Sequence, residues 1–300
     1  MLKIAHCPLY AHPLPEGHRF PMIKYELIPE QLIYEGTCQP ANFFCPGPLA
    51  EIWITRVHDQ SYWISLKSQT VSPKMIRRIG FPLSEVLIRR ETVIAQGTIE
   101  CCHFAAVYGV AMNVAGGTHH AFPDRGEGFC LLNDVGIASN YLLVNNMAKR
   151  VLIIDLDVHQ GNGTAVMFQK EPRVFTFSMH GKDNYPLHKE QSDLDVPLPT
   201  GTTDEEYLNR LYDILPSLFQ RHQPDFAFFI SGVDILQTDK LGHLAVSREG
   251  CYARDQFVYQ TCQLAGVPLV VAMGGGYSPR ISDIIEAHCN TFRLAQRVYF

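Results

Sequence analysis

Four short apolar runs constrain this chain more than any other feature. They are Val151-Leu-Ile-Ile-Asp-Leu-Asp-Val-His159, Val174-Phe-Thr-Phe-Ser-Met-His180, Asp225-Phe-Ala-Phe-Phe-Ile-Ser-Gly232 and Val267-Pro-Leu-Val-Val-Ala-Met-Gly-Gly-Gly-Tyr277. Each is rich in β-branched or aromatic residues and ends in polar or glycine-rich sequence. Near-continuous apolar runs, rather than alternating ones, belong to strands covered on both faces, as in parallel sheets. Between them lie helical patterns: Leu131 to Met147, Thr203 to Gln220 and Arg248 to Ala265. Thr203-Asp-Glu-Glu206 is a helix-start signal. Glu91 to Val114 predicts a long alanine-rich helix with Gly97 or Gly109 as break points. This alternation predicts an α/β fold, a mostly parallel doubly wound sheet forming one domain over residues 1–300. The first 80 or so residues are proline-rich and less regular, and Pro46-Gly47-Pro48 marks a loop.

Composition narrows the function. Lys and Arg number 25 against 30 Asp and Glu, a formal charge of −5. No clustered basic face suits nucleic acid, so the pairs Arg77-Arg78 and Arg89-Arg90 read as solvated. Nine cysteines without any C-x-x-C spacing read as reduced, mostly buried thiols of a cytoplasmic protein. The start, Met1-Leu-Lys-Ile-Ala-His6, lacks the apolar region of a signal peptide. No apolar run approaches the ~20 residues of a membrane span. No membrane partner is therefore expected. Oligomeric state stays open, with a monomer as the starting expectation.

In a doubly wound sheet, functional groups collect beyond the carboxyl ends of the strands. The first run delivers Asp155, Asp157 and His159 there, the third is followed by Asp234, and the last ends on Tyr277. Residues two apart in a strand point the same way, so Asp157 and His159 can meet one ion, and Asp234 can complete three protein ligands. Three ligands with a fourth position free is the catalytic zinc arrangement. Spacing by itself is equally consistent with a buried ion pair. Gly116-Gly117-Thr118-His119-His120 supplies two imidazoles, which beside a metal would be a base for water and an acid for a leaving amine. Alone, such a pair is as readily an ordinary surface or core feature. Tyr277, after three glycines, can donate to a developing oxyanion or simply pack in the core. Phe129, flanked by Gly128, can line an apolar channel or pack at a helix start.

Five ordered blocks, spanning about 160 residues, resemble the histone deacetylase superfamily. They are Gly116 to His120, Gly128-Phe-Cys130 with Asn133-Asp134, Asp155-Leu-Asp-Val-His159-Gln-Gly-Asn-Gly163, Ser231-Gly-Val-Asp234 and Gly274-Gly-Gly-Tyr277. Pro15 to Met22 and Asp195 to Tyr207 extend the likeness over nearly the whole chain. The resemblance implies the arginase-deacetylase fold, zinc on Asp157, His159 and Asp234, and a general base and acid at His120. It implies that His119 is an electrostatic partner oriented by Asp155, and that Tyr277 polarises the carbonyl. Gly117, Gly128, Phe129 and Gly275 fall at substrate-contacting positions. A structural potassium ion would fall on Asp155, Asp157, His159, Ser178 and Met179. The implied substrate is an acylated lysine, a polyamine or a small acylated amine.

Two departures stand out. Gln160-Gly161-Asn162 replaces the His-Gly-Asp of many members and is similar to the class IV branch and its bacterial relatives. His120 would then pair with neutral Asn162, which orients the ring without a counter-charge. The rim aspartate of class I members has no counterpart in Ile79-Gly-Phe-Pro-Leu-Ser84, which argues against a histone-tail-like substrate. A compact chain also fits a prokaryotic-type enzyme without histone-complex partners. The rival readings are a binuclear manganese ureohydrolase of the arginase type and a non-catalytic binder of acylated ligands. Arginase-type chemistry wants a second Asp two residues after Asp234, where this chain has Leu236.

Overall fold

A computed structural model describes residues 1–300. Its centre is one eight-stranded, wholly parallel sheet. The strands are β1 (Lys3–Ala5), β2 (Phe43–Phe44), β3 (Val110–Asn113), β4 (Val151–Asp155), β5 (Val174–Gly181), β6 (Leu194–Leu198), β7 (Phe226–Ile230) and β8 (Leu269–Ala272), in the order β2-β1-β3-β8-β7-β4-β5-β6. The apolar runs at β4, β7 and β8 are buried at every position, because helices cover both faces. A continuous core of 83 buried residues joins sheet and helices.

The helices are α1 (Lys24–Tyr34), α2 (Glu51–Ile54), α3 (Gln60–Lys67), α4 (Pro73–Ile79), α5 (Glu85–Tyr108), α6 (Asp134–Val144), α7 (Asn162–Phe168), α8 (Asp204–His222), α9 (Arg248–Ala265) and α10 (Ile281–Tyr299). Their starts follow local chemistry. Thr203 and Glu206 form a capping box on α8. Ser247 accepts from the Gly250 amide at 3.0 Å to open α9, and Asn133 accepts from Gly136 at 2.8 Å to open α6. None of the helices is long and apolar enough to cross a membrane.

Several expectations need correction. The helix expected over Glu91 to Val114 starts earlier, at Glu85, runs unbroken through Gly97 and stops at Gly109. Val110–Asn113 is strand β3. Gly97 is a packing position: a Cβ there would sit 2.6 Å from the Tyr10 hydroxyl. The helix expected from Leu131 begins only at Asp134, because Asn133 is its cap. The first 80 residues hold two strands and four α-helices. Arg90 is buried, not solvated. It pairs with Glu91, donates to the Tyr10 carbonyl at 2.6 Å and stacks 5.0 Å over Tyr25. All nine cysteines are free thiols, and seven are buried.

Candidate metal and catalytic site

The central strands β3, β8, β7 and β4 are neighbours and end on one side of the sheet. β4 ends on Asp155, and the loops that follow the four strands carry His119-His120, Tyr277, Asp234 and Asp157 to His159. Parallel pairing thus gathers residues from distant parts of the chain, as expected beyond the carboxyl ends of such strands.

Asp157, His159 and Asp234 converge with one ligand atom each, all within 4.8 Å of one another, and all three are buried. His159 Nδ1 lies 3.0 Å from Asp157 Oδ1 and 3.1 Å from Asp234 Oδ2. Strand alternation is not what brings them together: β4 ends at Asp155, and a loop bend follows. That bend is closed by Asp157 Oδ1, which accepts from the His159 amide at 3.0 Å. The remaining carboxylate oxygens are held by backbone donors. Gly275 N donates to Asp157 Oδ2 at 2.8 Å, and Val158 N donates to Asp234 Oδ1 at 3.0 Å. A Cβ on Gly275 would fall 2.1 Å from Asp234 Oδ2 and 2.8 Å from Asp157 Oδ2, so the loop approaches the cluster only because residue 275 lacks a side chain. Burial and the Asp157 charge push the Asp234 carboxyl up to about 7. Two buried carboxylates and one imidazole in such proximity form an O/N donor set that fits a divalent ion such as zinc.

The histidine pair lies beside this cluster, ring centroids 4.2 Å apart. His119 Nδ1 is 2.7 Å from Asp155 Oδ2. Burial opposes charge on His119, but Asp155 and then Asp157 outweigh it and raise its pKa to about 9. His120 Nδ1 is 2.6 Å from Asn162 Oδ1, and that oxygen also accepts from the Gly163 amide at 3.0 Å. Two donors on one amide oxygen assign the proton of His120 to Nδ1 and leave Nε2 as an acceptor. Burial, His119 and His159 hold His120 well below the usual imidazole range. The Gln160 side chain is bound away from the cluster. It donates to the Glu190 carbonyl at 2.7 Å and to Asp195 at 2.8 Å.

Tyr277 lines the chamber with Phe129, ring centroids 5.9 Å apart, and its amide donates to Asp239 at 2.6 Å. Burial raises its phenol well above the ordinary value, so it stays a neutral donor. Phe129 starts no helix; it lies in a loop at φ 68°. A side-chain-bearing residue in that region is strained and is held by its surroundings. The holding contacts are its amide on the Ile79 carbonyl at 2.6 Å and the rings of Phe20, Phe81 and Tyr277 at 5.1, 5.2 and 5.9 Å. Gly128 has φ 51°, and a Cβ there would sit 2.6 Å from the His120 ring. Gly117 packs against Gly274, and both line the chamber. Asp155, Ser178 and Met179 meet where β4 and β5 pair. The Ser178 hydroxyl lies 3.0 Å from His180 Nδ1, and the Asp155 oxygens serve His119 and the Asp157 amide.

Several residues important to this geometry give no signal in the sequence. Lys24 is fully buried, and its ammonium donates to the Gly274 carbonyl at 3.1 Å. Burial lowers it to about 8, against the pull of Asp234 and Asp157. Arg254, also fully buried, pairs with Asp255 at 2.7 Å and donates to the Gly232 and Leu156 carbonyls at 2.6 and 3.2 Å. It therefore pins the two loops that carry Asp234 and Asp157. Asp239 accepts amides of Tyr277, Leu241 and Gly242.

The chain matches the family model described as Histone deacetylase domain over residues 18–292. It is 43% identical over 296 residues to an uncharacterized protein of Picosynechococcus sp., covering 99% of each. It is 30% identical to Histone deacetylase 2 of Arabidopsis thaliana, covering 89% of this chain and 72% of that protein. Acetoin utilization protein AcuC of Staphylococcus aureus is 27% identical, with 88% and 73% covered. A crystal structure of an HDAC homolog complexed with SAHA superposes with a TM-score of 0.84 at 23% identity, covering 97% of this chain and 82% of that one.

Proposed function

The chain belongs to the histone deacetylase family, and from that premise we propose that it is a zinc-dependent deacylase that hydrolyses the amide of an acylated lysine or a related acylated amine. Family membership supports deacetylase chemistry, and the fold is the arginase-deacetylase fold. One observation carries the finer reading: three buried metal-type ligands within 4.8 Å of one another, beside two differently partnered histidines. The shared 83-residue core supports reading residues 1–300 as one catalytic unit.

Asp157, His159 and Asp234 would hold the zinc, which when bound supplies Lewis acidity toward the amide carbonyl and a lowered pKa for an attacking water. His120 Nε2 accepts the proton of that water as its oxygen bonds to the carbonyl carbon. The Tyr277 phenol donates to the oxygen that gains charge. The C–N bond then breaks, and the proton passes from the histidine pair to the departing amine. The products are a carboxylate and a free amine. Asp155 fixes His119, and Asn162 fixes His120. A structural potassium ion beside Asp155, Ser178 and Met179 belongs to the same proposal.

The donor set argues against a binuclear manganese site. Leu236 stands two residues beyond Asp234, Asp239 is occupied by three amides, and Asp155 by His119 and an amide. A filled constellation likewise argues against a passive binder. The test is release of acetate and amine from an acetyl-lysine peptide. His120→Ala and Tyr277→Phe should each lower kcat by ~10²-fold or more, the usual scale for such groups. Undiminished turnover in a metal-loaded Tyr277→Phe protein would contradict the assignment.

A further inference from the structure

The mouth of the chamber is a cavity of about 510 Å³. Its wall carries three arginines, Arg19, Arg77 and Arg78, and no carboxylate. This is unexpected in a chain with five more acidic than basic residues. All three are exposed. Their placement is built rather than random. Arg19 lies 4.9 Å over the ring of Phe129, so a cation–π contact seats it on the chamber wall. Arg77 and Arg78 form the last turn of α4, and the Arg78 and Ile79 carbonyls accept amides of Gly128 and Phe129 at 3.0 and 2.6 Å. That ties the end of α4 to the loop forming the wall.

The acid that meets Arg78 is already shared. Glu127 is buried and takes Arg78 at 3.2 Å, Arg125 at 2.8 Å and the Tyr185 hydroxyl at 2.5 Å. Arg19 and Arg77 have no ion-pair partner, whereas Arg78 has one. The mouth therefore keeps uncompensated positive charge where the amine side of a substrate must emerge. A helix C-terminus favours basic residues for its own reasons, which would explain Arg77 and Arg78 but not Arg19.

Resting on the deacylase reading, we propose that this arginine-ringed mouth selects acylated amines whose amine side bears an anionic group, carboxylate or phosphate. Polycationic substrates such as acylpolyamines or lysine-rich tails are disfavoured by the same charges. Guanidinium groups suit both anions because their planar donors match either geometry.

Four acetyl-lysine tripeptides test this, flanked by Glu, phosphoserine, Gln or Lys. The zinc-loaded enzyme should show kcat/KM at least about tenfold higher for the Glu or phosphoserine peptide than for the Lys peptide, and salt near 0.5 M should shrink the ratio. Ranking Glu against phosphoserine identifies the anion. Arg77→Gln should reduce the ratio, Arg19→Gln with Arg77→Gln should collapse it, and Arg77→Glu should invert it. Both positions are exposed, and circular dichroism checks that the variants fold. A ratio within about twofold of unity, or one unchanged in the double variant, overturns the proposal. Calorimetric binding of the same peptides to the Tyr277→Phe protein reads the preference without turnover. Charge-selective binding without hydrolysis in the wild type would sink the deacylase reading and leave this one standing. Hydrolysis indifferent to charge would do the reverse.

Discussion

Asn162 Oδ1 lies 2.6 Å from His120 Nδ1, where a neutral amide holds the ring that a carboxylate holds at His119, 2.7 Å from Asp155. Two adjacent imidazoles thus have opposite surroundings. Asp155 and Asp157 favour charge on one, while burial and the neighbouring His119 and His159 disfavour it on the other, with only a neutral amide from Asn162 to oppose them. Groups whose environments push their pKa values apart suit an acid and base pair.

Replacing Asn162 with Asp adds a negative charge against the imidazolium form of His120. The His120 pKa rises, the base is protonated at higher pH, and the acidic limb of the kcat/KM profile moves upward. Asn162→Leu removes the acceptor and should lower kcat/KM ~10- to 100-fold by freeing the ring. A pH profile of the Asp variant superimposable on wild type would show that Asn162 does not tune the base.

Arg254 and Asp255 form a fully buried pair under the metal loops. Asp255→Asn leaves the guanidinium uncompensated and should cost about 3–5 kcal/mol in urea unfolding. A joint Arg254→Met and Asp255→Leu replacement should recover much of that loss. It should still weaken zinc binding, because the Gly232 and Leu156 carbonyls lose their donor. Zinc affinity equal to wild type in the double variant would show that Arg254 does not position the ligands.

Much of this architecture is legible in the amino-acid sequence itself. The runs at β4, β5, β7 and β8 stand out because strands buried on both faces write unbroken apolar sequence. β3 is hidden because Val110–Asn113 is four residues long and follows α5 after a single glycine. The two-residue β2 carries no pattern at all. In the site, glycine context and family likeness mark the histidine pair and the Asp-x-His segment. Lys24, Arg90 and Arg254 leave no such mark, because a buried charge is recognisable only with its partner, and their partners are set by tertiary packing. The Arg254 contacts with Leu156 and Gly232, for instance, span 98 and 22 residues.

The outer edge gives a pH prediction. Glu35, just beyond α1, accepts from Arg293 of α10 at 2.8 and 2.6 Å. The Arg293 hydrogen bonds hold its carboxyl at about 2, below its ordinary 4.5. A depressed folded pKa stabilises above the unfolded value, and the benefit is lost as pH falls from about 4.5 towards 2. Glu35→Gln should therefore be less stable by ~1 kcal/mol at pH 6, the scale of a partly exposed pair, with the gap closing by pH 2. Urea midpoints that differ equally at both pH values would exclude this linkage.

The zinc deacylase assignment is tested most directly by titrating zinc into metal-stripped protein while following acetate release from an acetyl-lysine peptide. Activity should rise to a plateau at one zinc per chain and stay absent in His159→Ala at every zinc concentration. Full activity without metal, or a plateau reached only at two metals per chain, would contradict it.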